Sequence, residues 1–245
     1  QIMGLLMISL TLYVMFKGSP PYALALKESI MPTTISWMAI VTLVGGTVGG
    51  YISFAGAHRL LDSRIMGKES VPTVRRASIQ AILLASIMRI ILFLAALGVL
   101  YKGIAFDSSN PPASIFSQGA GVYGKYLFGL VMWAAALTSV IGSAYTSISF
   151  LKTLHPSIEK HESKWIIGFV YVSLLILVLI GKPVQVLVWA GTINGFILPF
   201  ALGLLLISIK ELENKTGIHI PIIQQGFGWL IVLVMLWMSV QVIIR

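Results

Sequence analysis

The chain has 245 residues, of which 57% are hydrophobic and only 10% are charged, and it carries a formal net charge of +9. About a quarter of the residues of a soluble domain are charged, so this composition excludes a soluble domain. It predicts an all-α, polytopic helical membrane protein. The absence of cysteine excludes a disulfide framework and a thiolate metal site within these residues. Because the basic residues lie between apolar stretches, the charge indicates membrane topology, and we expect no binding to nucleic acid.

Seven apolar stretches follow one another along the chain and predict about seven membrane spans. Roughly 20 apolar residues cross a bilayer, so the short first stretch is interpreted as the end of a helix whose start is missing. We therefore expect residues 1–245 to form a single transmembrane domain, the carboxyl-terminal portion of a larger protein. The stretches are residues 2–16, 35–57, 78–101, 126–150, 165–180, 184–209 and 227–244. Glycine and proline predict turns at Gly18-Ser19-Pro20-Pro21, Asn110-Pro111-Pro112 and Gly181-Lys182-Pro183.

The second stretch contains four glycines within six residues, Gly45, Gly46, Gly49 and Gly50. Each interior glycine costs a helix about 1 kcal/mol relative to alanine, so the cluster predicts a broken helix within residues 35–57. Broken backbone at membrane depth is tolerated where it is buried in protein or lines a cavity, and such helices build the sites of secondary transporters. The alternative is that these small residues let two helices pack closely.

The sixth stretch predicts a second polar break, at residues 189–200, with the sequence WAGTINGFILPF. Pro199 removes a helix hydrogen bond, and Gly191 and Gly195 loosen the turn before it. Asn194, one turn from Gly191, could reach a site in the bundle interior. Alternatively, it makes an interhelical hydrogen bond worth roughly 1 kcal/mol.

The fourth stretch is rich in small and hydroxylated residues over residues 133–147, WAAALTSVIGSAYTS. These residues recur at intervals of three and four, which predicts close packing against the broken helix. Hydroxyl groups at such positions more often bond to their own helix than to a substrate.

Polar groups within the spans are few. Every acidic residue lies in a loop or at a span end, so the chain offers no buried carboxylate to a hard divalent cation, which requires oxygen ligands. Backbone carbonyls at the glycine break, with Thr47, Ser53, Thr192 and Asn194, could supply neutral oxygens. Arg89 lies within the third span, which predicts a function at a cavity or beside a partner carboxylate. Alternatively, Arg89 pairs with a structural acid outside this chain, or its side chain snorkels.

The distribution of basic residues predicts the topology. The loops after the second, fourth and sixth spans hold ten lysines and arginines, and the opposite side holds six. The positive-inside rule therefore predicts that residues 59–76 face the cytoplasm and that the carboxyl terminus lies outside.

These residues resemble the carboxyl-terminal half of the NRAMP divalent-metal transporters, from the end of the fifth helix to the eleventh. The run GGTVGGYISFAGAHRLLDSR is similar to the family's sixth helix, the fourth stretch to its eighth, and VLVWAGTINGFILPF to its tenth. The resemblance implies a LeuT-like inverted-repeat fold in a bacterial cytoplasmic membrane and transport of a divalent cation by alternating access. It implies no resident cofactor. The expected partners are the lipid bilayer, the transported metal ion and missing amino-terminal helices that would supply an anionic ligand.

The chain departs from the family at the metal-binding motif. Gly49 stands where the family has its methionine, Gly50 and Tyr51 follow, and Gly191 matches the glutamine of the tenth helix. Because the thioether that favours transition metals is absent, the resemblance implies a wider, oxygen-lined site for Mg²⁺ or Mn²⁺. The candidate metal-site residues are Gly46, Thr47, Gly49, Tyr51, Gly191 and Asn194.

Three other functions compete with metal transport. The first is an amino-acid or other organic-solute permease on the same scaffold. The second is an integral membrane enzyme, which we do not expect because no GxSxG motif is present and His161-Glu162 lacks the second histidine of a zincin. The third is a purely structural subunit, which would leave two glycine-rich spans without a purpose.

Overall fold

The structure is a computed structural model that describes residues 2–48, 56, 60, 63–103, 107 and 109–244. The regular secondary structure of these residues is helical, and one short 3-10 helix, Lys68–Ser70, precedes α4. The α-helices are α1 (Ile2–Gly18), α2 (Tyr22–Ile30), α3 (Trp37–Val48), α4 (Val71–Tyr101), α5 (Pro111–Leu151), α6 (Pro156–Lys160), α7 (Glu162–Ile180), α8 (Pro183–Ile207), α9 (Ile209–Thr216) and α10 (Ile222–Ile244).

Five of these helices, α4, α5, α7, α8 and α10, are long and apolar enough to cross a membrane. The helices α1 and α2 form a pair bent by 102°, which raises the number to six if the pair counts as one span. Helix α3 is apolar but has only 12 residues. Each of the seven predicted stretches thus contains a helix, and the prediction of a polytopic helical membrane protein is confirmed.

Two helices begin earlier than their hydropathy predicted. Helix α4 begins at Val71 rather than at residue 78, so Arg75 and Arg76 lie in its first turns and not in a loop. Helix α5 begins at Pro111, where we predicted a turn. Proline is tolerated there because the first turn of a helix leaves its N–H groups without a helical partner, and the Asn110 side-chain oxygen accepts a hydrogen bond from the Ala113 amide at 3.3 Å.

Helix α5 is interrupted at Gly121, whose φ of 70° and ψ of −162° are not helical. Almost only glycine adopts this conformation. The residue therefore divides α5 into an amino-terminal segment and the long apolar span that follows.

The first of two compact units comprises residues 1–34 and 72–142. Its core consists of apolar side chains from α1, α4 and α5, and within it the rings of Phe116 and Phe128 stack at 4.6 Å. The buried members of this core are Val14, Met15, Ala95, Val99, Phe116 and Phe128.

At the end of α1, a Cβ built on Gly18 would lie 3.2 Å from the Gly98 backbone, so the two glycines let the backbones of α1 and α4 come into contact. Lys102 Nζ donates a hydrogen bond to the Lys17 carbonyl at 2.9 Å and so caps α1.

The second unit comprises residues 35–71 and 143–245 and is built around α8, which packs against α3 and α10. Trp37 of α3 and Trp237 of α10 meet edge to face with ring centroids 4.8 Å apart. The predicted turn between α7 and α8 is confirmed: Gly181 has a φ of 65°, and its amide donates to the Leu177 carbonyl at 2.9 Å.

Candidate functional site

The glycines of α3 and α8 bring these two helices into backbone contact. A Cβ built on Gly45 would overlap the Gly191 carbonyl oxygen and the Gly195 amide nitrogen. A Cβ on Gly191 would lie 2.8 Å from the Thr42 carbonyl oxygen, and one on Gly195 would overlap the carbonyl oxygen of Val41. None of the three positions has room for a side chain.

The spacing of these residues explains why the helices meet along this face. Gly191 and Gly195 are four residues apart and lie on the same side of α8, while Val41 and Gly45 share one side of α3. Such pairs of small residues let helix backbones approach closely within a membrane. The packing interpretation of the glycine-rich span is therefore confirmed for Gly45, and its partner is α8. Packing of the fourth predicted span against α3 stays a prediction.

A hydrogen bond between two threonines joins the same helices. The hydroxyl oxygens of Thr42 and Thr192 lie 2.7 Å apart; Thr192 is buried and Thr42 is half-buried. The Thr192 hydroxyl donates to the Val188 carbonyl of its own helix at 2.9 Å. Since a hydroxyl has one proton, Thr42 is the donor between the helices. Sequence reasoning missed Thr42. Because Thr42 lies three residues before Gly45, it lies beside the side of α3 that carries Gly45.

Four of the six candidate metal-site residues belong to the described residues, and all four lie on α3 or α8. Gly46 is exposed, and a Cβ on it would lie 3.8 Å from Gly191 Cα, so this pair is brought together. Thr47 is exposed and donates to the Val44 carbonyl at 3.0 Å. Asn194 is half-buried on α8. Gly49 and Tyr51 lie outside the described residues.

Residues 189–200, where we expected a break, lie within the continuous helix α8. Pro199 is fully buried inside this helix, and Gly191 and Gly195 serve the contact with α3 instead of loosening a turn. Proline and glycine within membrane helices are tolerated because neighbouring groups compensate the freed backbone. The glycines and the proline that predicted a helix break thus lie in a continuous helix, where the two glycines serve helix packing.

The polar groups along α3 and α8 are neutral: hydroxyls, backbone carbonyls, tryptophan indoles and the two carboxamides of Gln185 and Asn194. Across the described residues, no group of three or more histidine, aspartate or glutamate side chains converges on a common point. Oxygen ligands of this kind suit a hard cation, and they also suit the polar groups of an uncharged solute.

Arg89 lines a cavity of about 570 Å³ within the first unit. The cavity is an open groove between α2 and α4, and Arg89 is exposed in it. A function of Arg89 stays a prediction. The walls of the groove are formed by Tyr22, Ala25, Leu26, Ser29, Arg89, Ile90, Phe93 and Leu94.

A polar pocket of about 480 Å³ lies in the same unit, around Asp107 and the first turns of α5. The Asp107 carboxylate accepts hydrogen bonds from the Ser109 hydroxyl at 2.7 Å and from the Ser109 amide at 2.8 Å. These bonds lower the pKa of the Asp107 carboxyl below its ordinary value, because they stabilise its charged form.

The sequence matches the family described as Natural resistance-associated macrophage protein-like, or Nramp, over residues 2–245. It is 50% identical over 244 residues to an uncharacterized membrane protein of Haemophilus influenzae, covering 100% of this chain and 62% of that protein. It is 52% identical over 240 residues to the uncharacterized membrane protein YcsG of Bacillus subtilis, covering 98% of this chain and 59% of that protein. The chain thus spans about three fifths of the length of these relatives. No solved structure matches it significantly.

Proposed function

The chain belongs to the Nramp family, and we propose that it forms part of a secondary transporter that moves divalent cations such as Mn²⁺ or Mg²⁺ by alternating access. It is an integral membrane protein, and we propose that it resides in the cytoplasmic membrane of a bacterium. The family is one of transporters, which supports transport and not enzymatic catalysis as its activity.

The observation that carries this proposal is the contact between Gly46 of α3 and Gly191 of α8. These residues come from the two stretches that resemble the metal-binding helices of the family. We propose that the cation binds beside this contact. Backbone carbonyls and the Asn194 carboxamide would act as ligands, because a hard cation prefers oxygen.

Neutral oxygens alone do not balance a divalent charge. We propose that an anionic ligand comes from the remainder of the protein, since the chain spans only about three fifths of its relatives. Thus the metal would bind between this chain and the remaining part of the same protein.

The close packing of α3 on α8 also bears on the mechanism. Backbone contact at Gly45 and the bond between Thr42 and Thr192 hold the two helices together. We therefore propose that α3 and α8 move as one element during alternating access.

Calorimetric titration of the complete, detergent-purified protein with Mn²⁺, Mg²⁺ and Ca²⁺ tests the proposal. We expect saturable heat with Mg²⁺ or Mn²⁺, and weaker binding in Asn194→Ala. Gly49→Met should shift the preference towards softer ions, because a thioether selects them. Gly168→Met is the matched control, since nothing lies within 4 Å of the Cβ position of this glycine of α7. The absence of heat with every divalent ion would contradict metal binding.

The second candidate function is an organic-solute permease, and one observation favours it. The groove at Arg89 combines a guanidinium with apolar walls, which suits an organic solute better than a cation. Under this alternative, the titration with divalent ions gives no heat, and the α3–α8 contact serves only to hold the helices together.

A further inference from the structure

The groove between α2 and α4 has the dimensions and chemistry of a small-molecule site. Its volume of about 570 Å³ lies within the usual range of about 300–1,000 Å³ for such sites. Tyr22, Ala25, Leu26 and Ser29 form one side because their spacing puts them on one face of α2. Apart from Arg89, the polar groups of the walls are two hydroxyls, and that of Ser29 is already donated to the Ala25 carbonyl at 2.7 Å.

Arg89 has no acidic partner among the described residues. The sequence places only two carboxylates in its compact unit, those of Glu28 and Asp107. The Glu28 carboxylate accepts hydrogen bonds from the Thr33 amide at 2.8 Å and the Thr33 hydroxyl at 3.0 Å. The Asp107 carboxylate is bonded to Ser109. Both carboxylates thus accept hydrogen bonds from other residues, so neither compensates the charge of the Arg89 guanidinium within the unit.

The position of Arg89 along α4 argues against a lipid headgroup as its partner. Arg89 lies thirteen residues from both Arg76 and Lys102, which corresponds to roughly 20 Å of helix on either side. The hydrocarbon layer is about 30 Å thick, so Arg89 lies near its middle. The distance to either lipid phosphate layer exceeds the length of one arginine side chain.

We propose that this groove binds a small organic carboxylate with an apolar body, and that Arg89 holds the carboxylate. The planar guanidinium matches a carboxylate through two parallel hydrogen bonds. Arg89, Ile90 and Phe93 are exposed along the open groove. At this depth the surrounding hydrocarbon layer would keep water from the ion pair and strengthen it, while Ile90 and Phe93 contact the apolar body. This site is separate from the proposed metal site and does not depend on the cation that is transported.

Calorimetry with benzoate and its neutral analogue benzamide tests the proposal on the complete protein, in buffer free of divalent metal. We expect saturable benzoate binding and at least tenfold weaker binding of benzamide. Arg89→Gln should weaken benzoate binding at least tenfold. Arg89→Lys should lose less affinity, because lysine keeps the positive charge but lacks the planar guanidinium. Because no metal is present, this test can fail without affecting the proposal of metal transport.

Two further variants separate binding from folding. Arg76→Gln, on the same helix but outside the groove, should bind benzoate as the unaltered protein does. Ala25→Trp fills the groove without changing its charge and should abolish binding while the melting temperature is kept. Equal affinities for benzoate and benzamide, or no benzoate binding by the unaltered protein, would overturn the proposal.

Two outcomes would assign Arg89 to another partner and overturn the proposal. If Arg89→Gln lowers the melting temperature and leaves benzoate affinity unchanged, Arg89 pairs with a carboxylate of the protein itself. If an anionic lipid copurifies with the unaltered protein but not with Arg89→Gln, and benzoate does not bind, the groove holds a lipid phosphate.

Discussion

Gly45 is the residue with the least room in the contact between α3 and α8. A methyl group there would overlap the backbone of Gly191 and Gly195, which cannot rotate away as a side chain can. Overpacking of this kind costs about 1–3 kcal/mol, so Gly45→Ala should lower the melting temperature of the detergent-purified protein. Gly168→Ala on α7 is the control, because nothing lies within 4 Å of its Cβ position. If both variants melt alike, the close approach at Gly45 is wrong.

The threonine pair allows a quantitative test at the same scale. Interhelical hydrogen bonds in membranes average about 0.6 kcal/mol. We expect Thr42→Val and Thr192→Val to show a coupling energy of this size in a double-mutant cycle of unfolding free energies. Additive effects of the two substitutions would show that the 2.7 Å contact contributes nothing to stability.

The glycines also show what sequence reasoning could and could not decide at individual residues. Four glycines in six residues permit either a break or a close contact, because both need the absence of a side chain. The choice at Gly45 depends on α8, which lies about 150 residues further along the chain. The matching spacing of Gly191 and Gly195 was the available signal, and we interpreted it as a break.

Gly121 sets the geometry of a whole element, helix α5. Its backbone conformation is almost exclusive to glycine, and forcing another residue into it costs about 1–3 kcal/mol. Gly121→Ala should therefore lower the melting temperature, or straighten α5 and lose the packing of the segment before it. Gly129→Ala, in the same helix with open space at its Cβ position, should not. Equal stability of the two variants would contradict the interruption.

The same helix shows why element boundaries were only partly predictable. The apolar run alone indicated a start near residue 126, whereas the helix begins at Pro111. The earlier segment is held by tertiary contact, since Phe116 is buried in the core of the first unit with side chains of α1 and α4. Hydropathy locates the part of a helix that lies in the membrane, and tertiary packing determines how far the helix continues beyond it.

At the scale of the whole molecule, the topology that the basic residues predict for this chain can be tested by labelling, because the chain contains no cysteine. Lys182 lies in the exposed turn between α7 and α8, and Lys160 is exposed on α6. With a membrane-impermeant maleimide, Lys182→Cys should react in intact cells, and Lys160→Cys only after permeabilisation, provided no other cysteine is present. The reverse pattern would invert the topology derived from the positive-inside rule.

At the scale of the whole molecule, the presence of a helix in each apolar stretch could be predicted, but the pairing of the helices could not. Apolar length alone located a helix in each of the seven stretches, because a span must satisfy its own backbone hydrogen bonds. Pairing depends on close contacts such as those of Gly18 with Gly98 and Gly45 with Gly191, which hydropathy does not encode. The inverted-repeat arrangement stays a prediction.

Uptake of Mn²⁺ into proteoliposomes containing the complete protein tests the central claim most directly. We predict saturable uptake that Mg²⁺ inhibits by competition, and a lower rate for Asn194→Ala than for the Gly168→Ala control. Empty liposomes set the background. Mn²⁺ uptake no faster than in empty liposomes, with a folded protein that also fails to move Mg²⁺, would contradict divalent-cation transport and favour the organic-solute permease.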